Sequence, residues 1–285
     1  MMLTLKNLII YKKKYLVAIF SVFFISCSSL GQWWYDRLDI YLANYFFEYA
    51  DFSNQQKSYI RSITKGYLAW NSTTEVPKYK NLIIKIRSLD EGTTILDIEN
   101  IFEEGESLFR ASNDFFSPHI VNFCKTITDK QVEEIDLFFK ERISKWEESA
   151  KKSEDKSPEE RTVDSVIGIA KFLGVKLNKV QLKEIKRLSK KSERPEYSSI
   201  KIQSNWNNKM ISILKDRGSE DFDTALSDHL ESLLNEEGRN DQETLFNEII
   251  ATTIASLTTN QKKKFNRRLN VFISSLDKII KSHKQ

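Results

Sequence analysis

Two short stretches, Phe52-Ser53-Asn54-Gln55-Gln56 and Ile127-Thr128-Asp129-Lys130-Gln131, share a pattern that predicts the start of a helix. In each, an apolar residue precedes a hydroxyl side chain, and a glutamine follows three residues after that hydroxyl. The hydroxyl oxygen accepts a hydrogen bond from the backbone N–H three residues later, and the glutamine side chain bonds back to the N–H of the hydroxyl residue. This reciprocal capping box fixes where a helix begins.

The pattern occurs twice more, in Leu177-Asn178-Lys179-Val180-Gln181 and in Leu257-Thr258-Thr259-Asn260-Gln261. The simplest interpretation is that all four are helix caps and nothing more. The predicted cap residues are Ser53, Thr128, Asn178 and Thr258, with the glutamines Gln56, Gln131, Gln181 and Gln261.

The rest of the chain also favours helices. It has only eight glycines and four prolines, and apolar residues recur at three- and four-residue steps, as in Phe265, Leu269 and Phe272. We therefore predict an all-α fold, an elongated bundle of about ten or eleven helices. The predicted helices span 33–50, 54–71, 76–89, 95–125, 129–152, 158–173, 178–191, 197–217, 222–236, 241–256 and 259–282.

A charged stretch without apolar residues, 151–156, indicates a linker. It divides the chain into an N-terminal helical region, 27–150, and a C-terminal helical region, 157–285. One continuous bundle is the alternative.

The start of the chain has the features of an export signal. Three lysines precede an apolar run at 15–25, which is closed by Ser26 and Cys27. This stretch resembles the bacterial lipobox, although Phe24 stands where Leu, Val or Ile is usual. The resemblance implies that residues 1–26 are a lipoprotein signal peptide, and that Cys27 then carries acyl chains such as palmitate.

An uncleaved anchor helix is the alternative, but the apolar run is much shorter than the ~20 residues that a membrane-spanning helix needs. By resemblance to enterobacterial sorting, Ser28 after the cysteine implies the outer membrane rather than the inner one. We therefore expect a protein that faces the periplasm and is held to the membrane through lipid at Cys27.

The overall charge does not indicate a nucleic-acid partner. The formal net charge is +4, and residues 1–26 contain four lysines and no acid, so the mature chain is close to neutral. Cys124 is the second of two cysteines, and its apolar surroundings predict a buried, inert thiol. A redox-active or dimer-forming thiol is the alternative.

The sequence offers no recognisable catalytic set. The histidines are His119, His229 and His283, far apart in the chain, and no zinc-protease, nucleophile-elbow or nucleotide-binding motif occurs. We expect no enzymatic activity, no metal and no cofactor.

The aromatic residues Trp33, Trp34 and Tyr35 allow two interpretations. In the first, one face of the first helix packs into the bundle; its members are Trp34, Leu38, Tyr41, Leu42, Tyr45 and Phe46. In the second, Trp33, Trp34 and Tyr35 contact a partner or lie at the membrane interface, where tryptophan and tyrosine are enriched.

Several segments together resemble a family of Gram-negative lipoproteins without known activity, the domain-of-unknown-function family 6279. They are Trp33-Trp34-Tyr35-Asp36, the first capping box, Leu68-Ala69-Trp70-Asn71 and Glu75-Val76-Pro77-Lys78-Tyr79. The resemblance implies an all-α envelope lipoprotein. Asn71 stands where the family usually has histidine, so any role of that histidine is missing here.

The Leu-Thr-x-x-Gln pattern of the caps is also similar to the repeated motif of the Spy-like periplasmic chaperones. We expect a lipid-anchored helical protein that acts by contact with envelope proteins in envelope maintenance. The alternatives are a holdase-like chaperone, which the second resemblance implies, and an envelope glycan hydrolase with paired acids in a cleft.

We predict that Thr128→Ala and Thr258→Ala each lower the free energy of unfolding by about 1 kcal/mol, because each removes the oxygen that caps a helix. Urea denaturation followed by circular dichroism measures the change. Unchanged midpoints in both variants would contradict a capping role.

Overall fold

The computed structural model describes residues 28–152, 155–193, 196–232 and 241–283. Within these ranges the regular elements are helices, which confirms the predicted all-α class. They are α1 (Ser28–Tyr35), α2 (Leu38–Phe47), α3 (Asn54–Trp70), a π-helical turn (Asn71–Glu75), α4 (Val76–Ser88), α5 (Ile95–Cys124), α6 (Asp129–Lys152), α7 (Pro158–Phe172), α8 (Lys179–Ser189), α9 (Glu196–Lys215), α10 (Phe222–Ser232), α11 (Asp241–Ala255) and α12 (Thr259–Ser282). No helix in these ranges combines the length and the apolar composition that a bilayer crossing requires.

Local chemistry explains most of the helix ends. The predicted capping boxes begin α3, α6, α8 and α12, and Ser157 with Glu160 forms a further box at α7. Thr94 with Asp97 caps α5, a box that uses aspartate in the third position. At the end of α7, Gly174 has a φ of 77°, and the N–H of Val175 donates to the carbonyl of Ala170 at 2.8 Å. A left-handed glycine closing a helix in this way is a common helix ending.

The predicted helix 33–50 is wrong as a single element, because the chain turns at Asp36-Arg37 between α1 and α2. The N–H of Arg37 bonds to the carbonyl three residues back, that of Trp34, at 3.1 Å. The face predicted to pack inward is also wrong in part, since Tyr41 and Tyr45 are each 39 % exposed. The residue that enters the core instead is Tyr35, at 1 % exposure, because its hydroxyl has a buried acceptor.

A π-helical turn joins α3 to α4, at the place where the sequence predicted a simple break. Pro77 lies in the first turn of α4. Proline donates no hydrogen bond, and its ring clashes with the carbonyl four residues earlier, which here belongs to Thr73. Widening of the preceding turn to π geometry relieves that clash, and such turns are frequent at functional sites.

The hydrophobic core does not separate at the predicted linker. In one cluster, Leu82 and Ile83 of α4 pack with Phe265 and Leu276 of α12. In a second cluster, residues of α6 pack with residues of α9 and α10. A third, smaller cluster joins α7, α8 and α11. The first two clusters thus combine residues from both predicted regions, 27–150 and 157–285.

The apolar residues that precede the first two caps belong to the second cluster. Phe52 is 4 % exposed and packs edge-to-face against Phe123 at 5.1 Å, and Ile127 is 3 % exposed. Cys124 lies in the same cluster as a free, buried thiol. Burial raises the pKa of Cys124 to about 12, so the reactive thiolate is suppressed.

Candidate functional site

The first two capping boxes meet in the fold, and their glutamines bond to each other. Nε2 of Gln56 donates to Oε1 of Gln131 at 3.0 Å, and Nε2 of Gln131 donates to Oε1 of Gln56 at 2.8 Å. Each Oε1 also accepts from the N–H of its own cap residue, Ser53 or Thr128. Two helix starts 75 residues apart in sequence are therefore held together by one pair of amides.

The second hydrogen of each amide is used as well. Gln56 donates to the carbonyl of Thr126 at 3.1 Å, and Gln131 donates to the carbonyl of Asp51 at 3.0 Å. Each of these carbonyls lies two residues before the cap of the opposite helix. In both amides, the two N–H groups donate and the oxygen accepts two hydrogen bonds. A polar pair in the interior is stable only when its hydrogen-bonding groups are satisfied in this way.

The third and fourth capping boxes repeat this arrangement. Gln181 and Gln261 exchange amide hydrogen bonds of 3.0 and 2.9 Å, and both side chains are buried. Their remaining amide hydrogens go to the carbonyls of Ser256 and Lys176, again two residues before the opposite cap. The eight predicted cap residues therefore form two crossed pairs of the same geometry, and their bonds serve the architecture.

A second polar cluster lies around the π-helical turn. The hydroxyl of Tyr35 donates to Oδ1 of Asn71 at 2.8 Å, and Nδ2 of Asn71 donates to the hydroxyl oxygen of Tyr67 at 3.3 Å. The hydroxyls of Tyr67 and Ser112 lie 2.9 Å apart. This chain links α1, α3, the π turn and α5 inside the first core cluster.

Glu75 ends the π turn and is 1 % exposed. One carboxylate oxygen lies 2.6 Å from Nζ of Lys78, whereas the other is buried without a hydrogen-bond partner. Burial of the rings is the main reason why the pKa values of the neighbouring Tyr67 and Tyr79 are raised, and the charge of Glu75 adds to the shift. The pKa of Tyr35 is raised as well, mainly by burial.

This cluster contains residues from three of the four segments on which the family resemblance rests, but the sequence did not reveal it as a site. Tyr35, Asn71 and Glu75 each belong to one of these segments. The fold brings them together and adds Tyr67 and Ser112 from outside the pattern. Asn71 supplies both an acceptor and a donor to the network.

The three aromatic residues predicted for a partner or membrane interface differ in how exposed they are in the structure. Trp33 is 51 % exposed and Trp34 is half-buried, so both are available at the surface. For Tyr35 the prediction is wrong, because its ring is enclosed and packs edge-to-face on His283 at 5.7 Å. Cys27, the predicted lipidation site, lies outside the described residues.

The three histidines contact different aromatic residues in the fold. His229 stacks on Trp206 at 4.5 Å, and each of the two residues bonds to the backbone carbonyl of the other. Burial lowers the pKa of His229, which favours its neutral form. His119 lies against Phe115 on α5. Across the described ranges, no group of three or more His, Cys, Asp or Glu side chains is arranged to hold a metal ion.

An open groove of ≈ 560 Å³ lies beside the end of α7, lined by Gly168, Lys171, Phe172, Gly174 and Arg268. Nε of Arg268 donates to the carbonyl of Phe172 at 3.2 Å, and its guanidinium lies over the rings of Phe172 and Phe272. Cations near a helix C-terminus are stabilising, because the last carbonyls are unpaired and carry partial negative charge. The basic side chains of the groove therefore have a structural explanation.

We predict that the paired glutamines are energetically coupled. Gln56→Met and Gln131→Met should each cost roughly 1–3 kcal/mol, since each leaves the partner amide short of hydrogen bonds. The double variant should cost less than the sum by about 1 kcal/mol. Urea denaturation of the four proteins measures this coupling. As the control, Gln56→Met combined with Gln181→Met should be additive, because these side chains belong to different pairs. Additivity within the Gln56–Gln131 pair would contradict the coupling.

We predict that Tyr35→Phe lowers the free energy of unfolding by about 1 kcal/mol, because the variant loses the hydrogen bond that its hydroxyl donates to the buried Asn71. Tyr59→Phe is the matched control, since Tyr59 is exposed, and it should change stability by less than about 0.5 kcal/mol. Equal effects in the two variants, measured by urea denaturation, would show that the buried bond contributes nothing.

We also predict that stability falls as the pH rises above about 10, the pKa of tyrosine in an unfolded chain. The raised pKa values of Tyr35, Tyr67 and Tyr79 keep these hydroxyls protonated in the fold, while the unfolded chain releases their protons. The native state then binds more protons than the unfolded state, so the stability present below that pH is lost above it. Urea midpoints between pH 8 and about 11.5 should fall less steeply for Tyr79→Phe; an unchanged slope would argue against this linkage.

Comparison with known proteins places the chain in a family. The model of a family of unknown function, DUF6279, matches residues 48–239, which is more than half of the chain. The match includes the first capping pair and the π-turn cluster apart from Tyr35. No curated protein and no solved structure matches the chain. By this match the chain belongs to the family of unknown function DUF6279.

Proposed function

We propose that the protein is held by acyl chains on Cys27 to the outer membrane, faces the periplasm, and acts by contact with other envelope proteins in envelope maintenance. The observation that carries this proposal is the lipobox-like stretch that ends at Cys27, directly before the first described helix. A lysine-rich segment, a short apolar run and a small residue before a cysteine fit an export signal better than a spanning helix.

A role without catalysis is supported by how the interior polar groups are used. The amides of the four glutamines are engaged in capping and in each other, and the tyrosine hydroxyls around Asn71 bond within the core. The acid among these rings is Glu75, which is 1 % exposed and paired with Lys78. A glycan hydrolase needs two acids that face a substrate across a cleft, and Glu75 in this conformation does not face solvent.

A holdase-like chaperone is the second candidate, and exposed apolar side chains on the body favour it. Leu96, Leu137 and Val180 are 61, 63 and 78 % exposed, and such side chains offer contacts to an unfolded client. This candidate requires that the purified protein suppress aggregation of a denatured client at near-stoichiometric ratio. Lack of suppression would reject it and leave the first candidate standing.

We predict that Cys27→Ala abolishes both the acyl mass and membrane retention, because the thiol is the attachment point for the diacylglycerol. Mass spectrometry of the mature N-terminus and membrane fractionation measure the two effects. Cys124→Ala is the matched control and should keep the acyl mass and the membrane location, since Cys124 is buried. Intact, unacylated chain in the soluble cytosolic fraction of wild type would contradict the proposal.

Contact with envelope proteins is tested by crosslinking in intact cells followed by purification from membranes. The wild type should yield specific crosslinked proteins that are reduced in the Cys27→Ala variant, because the variant loses its position at the membrane. If wild type and the Cys27→Ala variant recover the same proteins, in amounts no greater than without crosslinker, the result would argue against a partner that depends on anchoring.

A further inference from the structure

Exposed apolar side chains are concentrated at the start of the described chain. Within the described ranges, twelve large apolar side chains are exposed, and four of them lie in residues 33–45. These four are Trp33, Ile40, Tyr41 and Tyr45, with exposures of 51, 52, 39 and 39 %. The other eight are spread over the described chain from Tyr59 to Val271, so no other stretch of this length holds as many.

The four side chains form one surface, which we call the aromatic face. Positions four apart on a helix share a face, so Tyr41 and Tyr45 align on α2, and Ile40 borders them about 100° around the helix from Tyr41. Trp33 on α1 is linked to the start of α2 by Arg37, whose guanidinium carbon lies 4.1 Å from the Trp33 ring centre. Trp34 stacks on Tyr41 at 5.3 Å, which extends the face across the turn between the helices.

The opposite sides of α1 and α2 are fixed in the core, so the aromatic face cannot turn inward. Tyr35, Leu38 and Ala43 are 1, 7 and 2 % exposed. The hydroxyl of Tyr35 bonds to Asn71 at 2.8 Å, which sets the rotation of α1 against the π turn. Any rotation that buried Trp33 or Ile40 would break this bond and expose the residues of the core.

The aromatic face begins next to the proposed lipid anchor. Helix α1 is described from Ser28 onward, and Ser28 follows Cys27 directly in the sequence. Trp33 follows Cys27 by six residues, and six residues span at most about 21 Å even when fully extended. Acyl chains on Cys27 that enter a bilayer therefore keep Trp33 within reach of the headgroup layer.

We infer that α1 and α2 lie on the bilayer surface, with the aromatic face inserted among the phospholipid headgroups. This inference rests on the proposed lipid anchor. Tryptophan and tyrosine are enriched at this depth, because their rings are apolar and their N–H or O–H groups reach water. Residues 28–47 contain the charges of Asp36, Arg37 and Asp39, and Arg142 of α6 donates to the hydroxyl of Tyr45 at 3.0 Å. Charges of both signs are thus balanced beside the face, so the contact depends on rings and apolar side chains rather than on attraction to anionic lipid.

The experiment uses the full, acylated protein reconstituted into phosphatidylcholine vesicles. Ile40→Cys carries an environment-sensitive fluorophore, and Ile202→Cys on α9 is the matched control, because Ile202 is a similarly exposed isoleucine at 49 %. Cys124 is buried, and Cys27 is acylated in the preparation. On vesicles that contain lipid brominated near the headgroup, the label at position 40 should lose most of its fluorescence, and the label at 202 should not.

A second arm raises the salt concentration, which screens exposed charges. Quenching at position 40 should persist, because the contact is apolar. Loss of quenching in high salt, or equal quenching at both positions, would overturn the inference. The inference would also be overturned if the label at position 40 were shielded only after an unfolded client protein is added. That result would show that the aromatic face binds protein rather than lipid.

The state of the anchor is measured on the same preparation. If mass spectrometry finds no acyl chains on the wild-type protein, the proposed function fails before the aromatic face is tested. If the acyl mass is present and the label at position 40 stays unquenched on the vesicles, the proposed anchor stands and the inference about the aromatic face is wrong. As a second variant, Tyr45→Cys should be quenched like Ile40→Cys.

Discussion

Two crossed pairs of glutamine amides determine how this fold is assembled. A buried amide that lacks partners costs on the order of 1–3 kcal/mol, so each pair is stable only if both helix starts are in place. Gln56 with Gln131 and Gln181 with Gln261 meet this condition, because every amide donor reaches either the other glutamine or a backbone carbonyl before the opposite cap. The caps thus set the relative positions of helices as well as their first residues.

The tyrosine cluster at the π turn acts on the other end of the chain. Tyr35 is drawn into the core because Asn71 offers a buried acceptor, and this fixes which side of α1 faces outward. His283, just after α12, packs on the same ring, so the two ends of the described chain meet at Tyr35. The exposed side of α1, which follows Cys27 in the sequence, is therefore oriented by a bond in the interior, and this connects the core to the proposed contact with the membrane.

Local patterns predicted much of this structure, and the reason is the short range of the interactions that encode them. Helix α8 begins where Asn178 and Gln181 indicated, since a capping box involves residues only three apart. The same reasoning failed for 33–50, where helical periodicity predicted an inward face that included Tyr41 and Tyr45. Periodicity cannot register a buried acceptor such as Asn71, which lies 36 residues further along the chain.

The sequence by itself determined the all-α class, the starts of the capped helices and the buried, inert character of Cys124, because these follow from neighbouring residues. Only the tertiary structure decided which caps pair, that Tyr35 is enclosed while Trp33 stays at the surface, and that Glu75 ends a buried π turn. These outcomes depend on hydrogen bonds and packing between segments that are distant in sequence. The residue that decides where each side chain lies is therefore not among its neighbours in the sequence.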